Sequence, residues 1–108
     1  MNSISRHEIH QRLVSKQETL LIEALPLKYF QESHLPQAIN INHDEIEQLA
    51  PKFIPNKNTP IVVYCSNTAC NNSTLAANKL ERLGYQNVYK YAEGKQDWQD
   101  AGLPVERS

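Results

Sequence analysis

The sequence has few cysteines, no block of like charges and no long hydrophobic run, and each of these shortages excludes a class of protein. Two cysteines in 108 residues are too few for the disulfide framework of a small secreted domain. Eleven basic and twelve acidic residues leave a formal net charge of -1, which gives no support for binding to nucleic acid or to a charged membrane surface. No apolar stretch approaches the roughly 20 residues that span a bilayer.

The first residues also lack the apolar core of an export signal. Residues 1–8 are mostly polar, so we expect a cytoplasmic protein without a signal peptide and without a membrane partner. Thiols stay reduced in that compartment, and a chemical role is expected for at least one of the two cysteines. A length of 108 residues with 40% hydrophobic residues fits one domain, residues 1–108, with a single core.

Hydrophobic periodicity and capping signals predict four short apolar strands separated by helices. Ser5-Arg6-His7-Glu8 has the pattern of a capping box and predicts a helix that begins at Arg6. The predicted strands are 20–24, 38–41, 61–64 and 88–91, and the predicted helices are 6–14, 26–33, 43–50 with Asn42 as its cap, 73–83 and 95–101. Pro51 is expected to end the third helix.

Strands that are apolar along their length and alternate with helices are typical of a mainly parallel sheet with helices on both faces. Glu23 lies at the end of such a strand and needs a partner if it is buried. His34 precedes another strand and is interpreted as a residue that holds a turn by hydrogen bonding. In such sheets ligands bind outside the carboxyl ends of the strands.

Cys65 lies at such an end, directly after the apolar run 61–64. A polar loop separates it from the predicted helix at Ser73, and the loop residues are Ser66, Asn67, Thr68, Ala69, Cys70 and Asn71. The amides of such a loop can form an anion-binding nest, and the positive end of a helix favours a thiolate. The sequence therefore predicts a reactive Cys65 with this loop as its persulfide-binding cradle. The alternative is that Cys65 is a small buried hydrophobic residue that ends the strand.

Two other kinds of cysteine chemistry do not fit this loop. Cysteine phosphatases need an Arg six residues after the cysteine to clamp phosphate, and Asn71 occupies that position, with no Arg or Lys between Cys65 and Asn78. Four residues separate Cys65 from Cys70, and no further Cys or His lies nearby in the sequence for a zinc site, so no metal is expected. The role of Cys70 stays open: it is either an ordinary loop residue or a resolving thiol that attacks an oxidised or persulfidated Cys65.

Several segments, in order from about Ile4 to Glu106, resemble a rhodanese domain of the small single-domain type. The segments that carry the resemblance are Leu21-Ile22-Glu23, His34 to Ile41, Ile61 to Cys65, Ala76-Ala77, Leu83 to Val88, and Gly94, Trp98 and Ala101 to Val105. The resemblance implies a three-layer α/β/α fold with a mainly parallel five-stranded sheet. It also implies that Cys65 accepts sulfane sulfur as a persulfide and passes it to a thiol. The chain is similar to a subgroup with a second cysteine five residues after the first, as Cys70 is here.

The chain departs from the common pattern of that family at three places. The loop after Cys65 is about two residues longer and has neither Gly nor Arg, the usual acidic–x–Arg is Glu23-Ala24-Leu25, and a frequent Gly-Gly is Glu93-Gly94. Without a loop cation, a neutral or protein-borne persulfide donor fits better than thiosulfate, which is a dianion.

Two functional hypotheses follow from these observations. The first is a sulfurtransferase or sulfane-sulfur carrier that uses Cys65, takes sulfur from a small donor and gives it to a thiol acceptor or a partner protein, with no cofactor. The second is a rhodanese-like redox or polysulfide-sensing module with little turnover, in which Cys65 and Cys70 form a thiol–disulfide switch.

Overall fold

A computed structural model describes all 108 residues of the chain. Strands and helices alternate along it, and a 3₁₀ turn at His43–Glu45 precedes the third helix. The elements in chain order are β1 (Asn2–Ser3), α1 (Arg6–Val14), β2 (Leu20–Glu23), α2 (Leu27–Glu32), β3 (Ile39–Asn40), α3 (Ile46–Phe53), β4 (Ile61–Tyr64), α4 (Asn72–Arg82), β5 (Val88–Tyr91) and α5 (Gly94–Asp100).

The five strands form one sheet in the order β1-β5-β4-β2-β3, and every neighbouring pair is parallel. Val63 of β4 pairs with Ile22 on one side and with Lys90 on the other. The central position of β4 places its carboxyl end, and therefore Cys65, in the middle of the edge where the strands end.

Two apolar clusters sandwich the sheet between its helices. The cluster on the α3 and α4 face includes Ile22, Ile61, Val63, Val88, Ala50, Ala76 and Leu80. The cluster on the α1 and α5 face includes Ile9, Leu21, Val62, Tyr64, Tyr91 and Trp98. Residues along each strand alternate between the two clusters because successive side chains point to opposite faces of a sheet. The predicted three-layer α/β/α fold with a parallel five-stranded sheet is confirmed.

The first helix has the start predicted from its capping box. The Ser5 hydroxyl accepts from the Glu8 amide at 3.2 Å, and the Ser5 amide donates to the Glu8 carboxylate at 3.3 Å. Arg6, in the first turn, donates to Asp97 of α5 at 2.7 Å. Tyr91 donates to the same carboxylate at 2.6 Å, so the two helices on this face are joined through one carboxylate.

The prediction that Pro51 ends the third helix is wrong, because α3 continues through Pro51 to Phe53. A proline in a helix removes one hydrogen bond to the carbonyl four residues before it. Pro51 lies in the last turn and is exposed, so water can satisfy the carbonyl that loses its partner. The Ile54 amide still donates to Ala50 at 2.7 Å, and the helix therefore closes normally.

His34 holds the chain between α2 and β3, as expected from the sequence. Its Nδ1 lies 2.7 Å from the Phe30 carbonyl oxygen, and the His34 and Glu106 backbones exchange two hydrogen bonds of 2.9 and 2.8 Å. The C-terminal tail is thereby attached to the end of α2. None of the helices is both long and apolar enough to cross a membrane.

Candidate active site

Cys65 follows β4 directly and is 1% exposed. Its Sγ lies 3.5 Å from the Oγ of Ser73, a buried residue in the first turn of α4. Helix α4 begins at Asn72, one residue before the predicted start. The sulfur is therefore placed at the N-terminal end of a helix of 11 residues.

The N-terminal end of α4 has no cap from within the protein. The side chain of Asn71, the residue before the helix, makes no capping hydrogen bond, and no acidic residue lies in the first turn. The first N–H groups of a helix have no partner within the helix, and together they carry a partial positive charge. Nothing in this helix neutralises that charge, so the end facing Cys65 favours an anion.

Cys65 and Cys70 are joined by a disulfide, so neither cysteine is free in this structure. Their Cα atoms are 6.4 Å apart, which is within the ordinary range for a disulfide. The loop of residues 66–71 (the Cys65 loop) thus brings the second sulfur to the first. Cys70 is half-buried while Asn67, Thr68 and Ala69 are exposed, so the second cysteine is the part of the loop that faces inward.

Two amides of the Cys65 loop are already used inside the loop. Asn67 accepts from the amide of Ala69 through its side-chain oxygen at 3.0 Å and from the amide of Cys70 through its carbonyl at 3.1 Å. In this disulfide-bonded form those two N–H groups are not available to bind a sulfur anion. The persulfide-binding role of residues 66–71 stays a prediction.

The other side of Cys65 contacts the first turn of α5. The amide of Lys95 donates to the Cys65 carbonyl at 2.9 Å, and the amide of Gln96 donates to the Ser66 carbonyl at 2.8 Å. No peptide bond of the chain is cis, and in a trans peptide the N–H points opposite to the C=O. The N–H groups of Ser66 and Asn67 therefore point away from α5, and they have no hydrogen-bond partner in the protein.

Gly94 makes the close approach of α5 possible. Its φ is +70°, and a Cβ at this position would lie 2.6 Å from the Cys65 carbonyl oxygen and 2.9 Å from the carbonyl carbon of Ser66. A residue with a side chain would therefore be both strained and in collision with backbone atoms. The backbone of the Cys65 loop and the start of α5 form one closely packed unit.

A buried ion pair lies beside this unit. Glu23 is fully buried and accepts from Lys95 Nζ at 3.0 Å and from the Tyr64 hydroxyl at 2.9 Å. Burial raises the pKa of Glu23, and the neighbouring Lys95 opposes that rise. Burial and the Glu23 carboxylate both raise the pKa of Tyr64, which therefore stays neutral. The sequence-based expectation that a buried Glu23 needs a partner is confirmed.

A second lysine reaches α4 from the neighbouring strand. Lys90 of β5 points to the same face of the sheet as Val88, and its Nζ donates to the Thr74 hydroxyl at 2.6 Å. Thr74 follows Ser73, the residue in contact with the Cys65 sulfur, and no carboxylate lies within ion-pair distance of Lys90. The first turn of α4 thus has a cation beside it as well as an open positive end.

Comparison of the sequence with models of protein families identifies the family of this chain. A family model described as the rhodanese-like domain matches residues 5–101. The chain belongs to the rhodanese-like domain family.

Related proteins of different kinds contain similar domains. The adenylyltransferase and sulfurtransferase UBA4 of Candida albicans is 36% identical over 92 residues, which cover 80% of this chain and 20% of that protein. The HTH-type transcriptional regulator Rv0324 of Mycobacterium tuberculosis is 29% identical over 105 residues, which cover 97% of this chain and 45% of that protein. The chain thus spans less than half the length of either relative.

The fold of this rhodanese-like domain is also that of a solved structure. The BH2092 protein from Bacillus halodurans superposes with a TM-score of 0.91 over 98% of this chain and 77% of that chain, at 24% sequence identity. At this level of identity the likeness shows the fold alone.

The predicted loop residues lie between β4 and α4, with Ser66 and Cys70 half-buried and the other four exposed. Two lysines that the sequence did not indicate lie near this loop. Lys90 and Lys95 are 25 and 30 positions after Cys65, and each lies in a separate secondary-structure element. The only sequence signal for Lys95 was indirect: a carboxylate at the end of an apolar strand, Glu23, requires a partner from elsewhere in this rhodanese-like domain.

Proposed function

We propose that this domain transfers sulfane sulfur through Cys65. The thiolate of Cys65 attacks the outer sulfur of a persulfide, polysulfide or thiosulfate donor, and a new S–S bond forms as the donor's own S–S bond breaks. The donor leaves with the electron pair, as a thiolate or as sulfite. A thiol acceptor, as its thiolate, then attacks the outer sulfur, and Cys65 leaves as a thiolate again.

The observation that carries this proposal is the position of the Cys65 sulfur at the uncapped N-terminal end of α4. An anionic sulfur gains from unpaired helix amides and from a nearby cation. Membership in the rhodanese-like domain family, and a relative named as an adenylyltransferase and sulfurtransferase, support sulfur transfer as the reaction.

The disulfide between Cys65 and Cys70 means that a reductant must open the site before sulfur can enter. Cys65 is 1% exposed when it is bonded to Cys70. Cys70 directly follows the exposed residues 67–69 of the Cys65 loop. We therefore expect this loop to move after reduction and to expose the Cys65 thiol. The reduced protein is therefore the form to test.

The test is mass spectrometry of the reduced protein after incubation with polysulfide or with thiosulfate. A gain of one sulfur atom on the peptide that contains Cys65, removed again by an added thiol, is the expected result. Cys65→Ser should take up no sulfur, while Cys70→Ser should still take it up on Cys65. No adduct on Cys65 from either donor would contradict the proposal.

A second candidate function is a polysulfide or redox sensor with little turnover. The disulfide favours it, since the thiolate of Cys70 can attack the inner sulfur of a Cys65 persulfide, forming the Cys65–Cys70 disulfide and releasing hydrosulfide. The relative named as an HTH-type transcriptional regulator supports this role for a domain of this kind. Polysulfide should then yield the internal disulfide in the wild type and a lasting persulfide in Cys70→Ser. If the two proteins give the same products, the sensor mechanism fails.

A further inference from the structure

Lys95 connects the ends of three elements around the reactive cysteine. Its Nζ donates to Glu23 at 3.0 Å, to the Tyr29 carbonyl at 2.9 Å and to the Ser33 carbonyl at 2.6 Å. An ammonium group has three donors, and all three are used. The backbone amide of the same residue donates to the Cys65 carbonyl.

This ion pair is an unusual way to fill a buried position. Lys95 is 8% exposed and Glu23 is fully buried, and removing both charges from water is costly. An apolar pair of similar volume can stabilise a fold equally well. Three directed hydrogen bonds, however, fix the position of Nζ in a way that apolar contacts do not.

Fixing Nζ also fixes the backbone of the α5 first turn. Lys95 and Gln96 hold the carbonyls of Cys65 and Ser66 through their amides, and Gly94 leaves no gap between the two backbones. In a trans peptide group the N–H points in the opposite direction to the C=O. The direction of the Cys65 and Ser66 carbonyls therefore sets the direction of the Ser66 and Asn67 N–H groups.

We propose that Lys95 is a positioning residue for Cys65. Its ammonium, held by Glu23 and two carbonyls at the end of α2, keeps the first turn of α5 on the Cys65 and Ser66 carbonyls, and this orients the free amides of the Cys65 loop. The proposal rests on the proposed function, in which Cys65 is the reactive thiol. Lys95 contacts no reacting atom.

Two variants separate positioning from simple stability. Lys95→Met leaves Glu23 buried without its cation, so this variant should lose thermal stability. The double variant Glu23→Gln/Lys95→Met removes both charges and keeps an oxygen that accepts from Tyr64, so it should regain most of that stability. In both variants Cys65 of the reduced protein should react with iodoacetamide about tenfold more slowly near neutral pH, because small displacements of a reacting group have large effects on rate. A stable double variant with the wild-type rate and pH profile would overturn the proposal.

Amide hydrogen exchange tests the positioning without any thiol chemistry. The Lys95 and Gln96 amides should be protected in the wild type and should exchange at least tenfold faster in the double variant, whereas the amides of β4 should not change. Equal protection in both proteins overturns the positioning role whatever the thiol does. A wild-type Cys65 as slow as a free thiol, with normal protection of the two amides, contradicts the proposed function instead. If both variants fail to fold, exchange in the wild type decides: unprotected Lys95 and Gln96 amides overturn the proposal.

Discussion

Helices α4 and α5 both begin next to Cys65, but the N–H groups at the start of α5 are hydrogen-bonded whereas the start of α4 has no cap. The N–H groups of Lys95 and Gln96 at the start of α5 are taken by the carbonyls of Cys65 and Ser66, and Gly94 and Lys95 of that turn are buried. The end of α4 has neither a side-chain cap nor an acidic residue. One helix thus holds the backbone of Cys65, while the other leaves its positive end open to the Cys65 sulfur. A rigid support and an unsatisfied electrostatic site are both needed for a preorganised anion-binding thiol.

The largest expected effect comes from breaking the tight contact of α5. Gly94→Ala places a Cβ 2.6 Å from the Cys65 carbonyl oxygen at a φ of +70° and should lower the free energy of unfolding by about 3 kcal/mol. Gly84→Ala is the matched control, because Gly84 also has a positive φ, +99°, but nothing lies within 4 Å of its Cβ position. It should cost about 1 kcal/mol. Urea denaturation measures both, and equal losses would mean that α5 does not press on the Cys65 backbone.

The open end of α4 is tested through Lys90. Lys90→Met removes the cation beside the first turn of α4, so the rate of sulfur uptake from thiosulfate, an anion, should fall about tenfold at low salt. Uptake from an uncharged trisulfide should change little. Lys79→Met is the control, since Lys79 lies farther along α4 and donates to the His43 carbonyl. A similar loss in both variants would show that only the overall charge matters.

The contact between Tyr91 and Asp97 of α5 predicts that the stability of the protein depends on pH in the alkaline range. Burial, and then the hydrogen bond to Asp97, raise the pKa of Tyr91 above its ordinary value. The folded protein keeps Tyr91 neutral while the unfolded chain ionises near pH 10, so this contribution to stability is complete below about pH 10 and is lost as pH rises further.

Tyr91→Phe removes this contribution. The variant should be about 1 kcal/mol less stable than the wild type at neutral pH, because it lacks the bond to Asp97. The difference should shrink as pH rises above about 10, because only the wild type has a tyrosine at this position whose ionisation favours the unfolded chain. Urea denaturation at several pH values provides the check, and a constant difference would contradict the raised pKa.

The smallest effect is expected at Ser73, whose hydroxyl lies 3.5 Å from the Cys65 sulfur. Ser73→Ala should slow alkylation of the reduced Cys65 about threefold near neutral pH, because one weak hydrogen bond to the thiolate is lost. Ser66→Ala, in the Cys65 loop, is the control, since the Ser66 hydroxyl makes no hydrogen bond in the protein. Equal rates in Ser73→Ala and the wild type would remove this contact from the site.

Much of the fold could be predicted from local patterns. Helix α1 and strands β4 and β5 have the predicted bounds, because a capping box and short apolar runs are strong local signals. Strand β1 was not predicted from the residues, since Asn2 and Ser3 are exposed and show no apolar pattern. Only pairing with β5 at the edge of the sheet makes them a strand.

Only the part of the candidate site that is contiguous in the sequence could be predicted. Cys65, its loop and the helix that follows are contiguous, so the sequence alone places them together. Lys90 and Lys95 are brought there by the return of the chain through β5, and a lysine in a strand or helix looks like an ordinary surface residue in sequence. The geometry of the disulfide likewise depends on how residues 66–71 turn, which composition does not determine.

The attachment of the tail to α2 has a practical consequence for anyone who handles this protein. Glu106 pairs with His34, and the preceding Ser33 supplies a carbonyl to Lys95. Deletion of residues 106–108 would thus loosen a chain of contacts that leads to Cys65. Purification tags are better fused after a flexible spacer, so that the last residues stay docked.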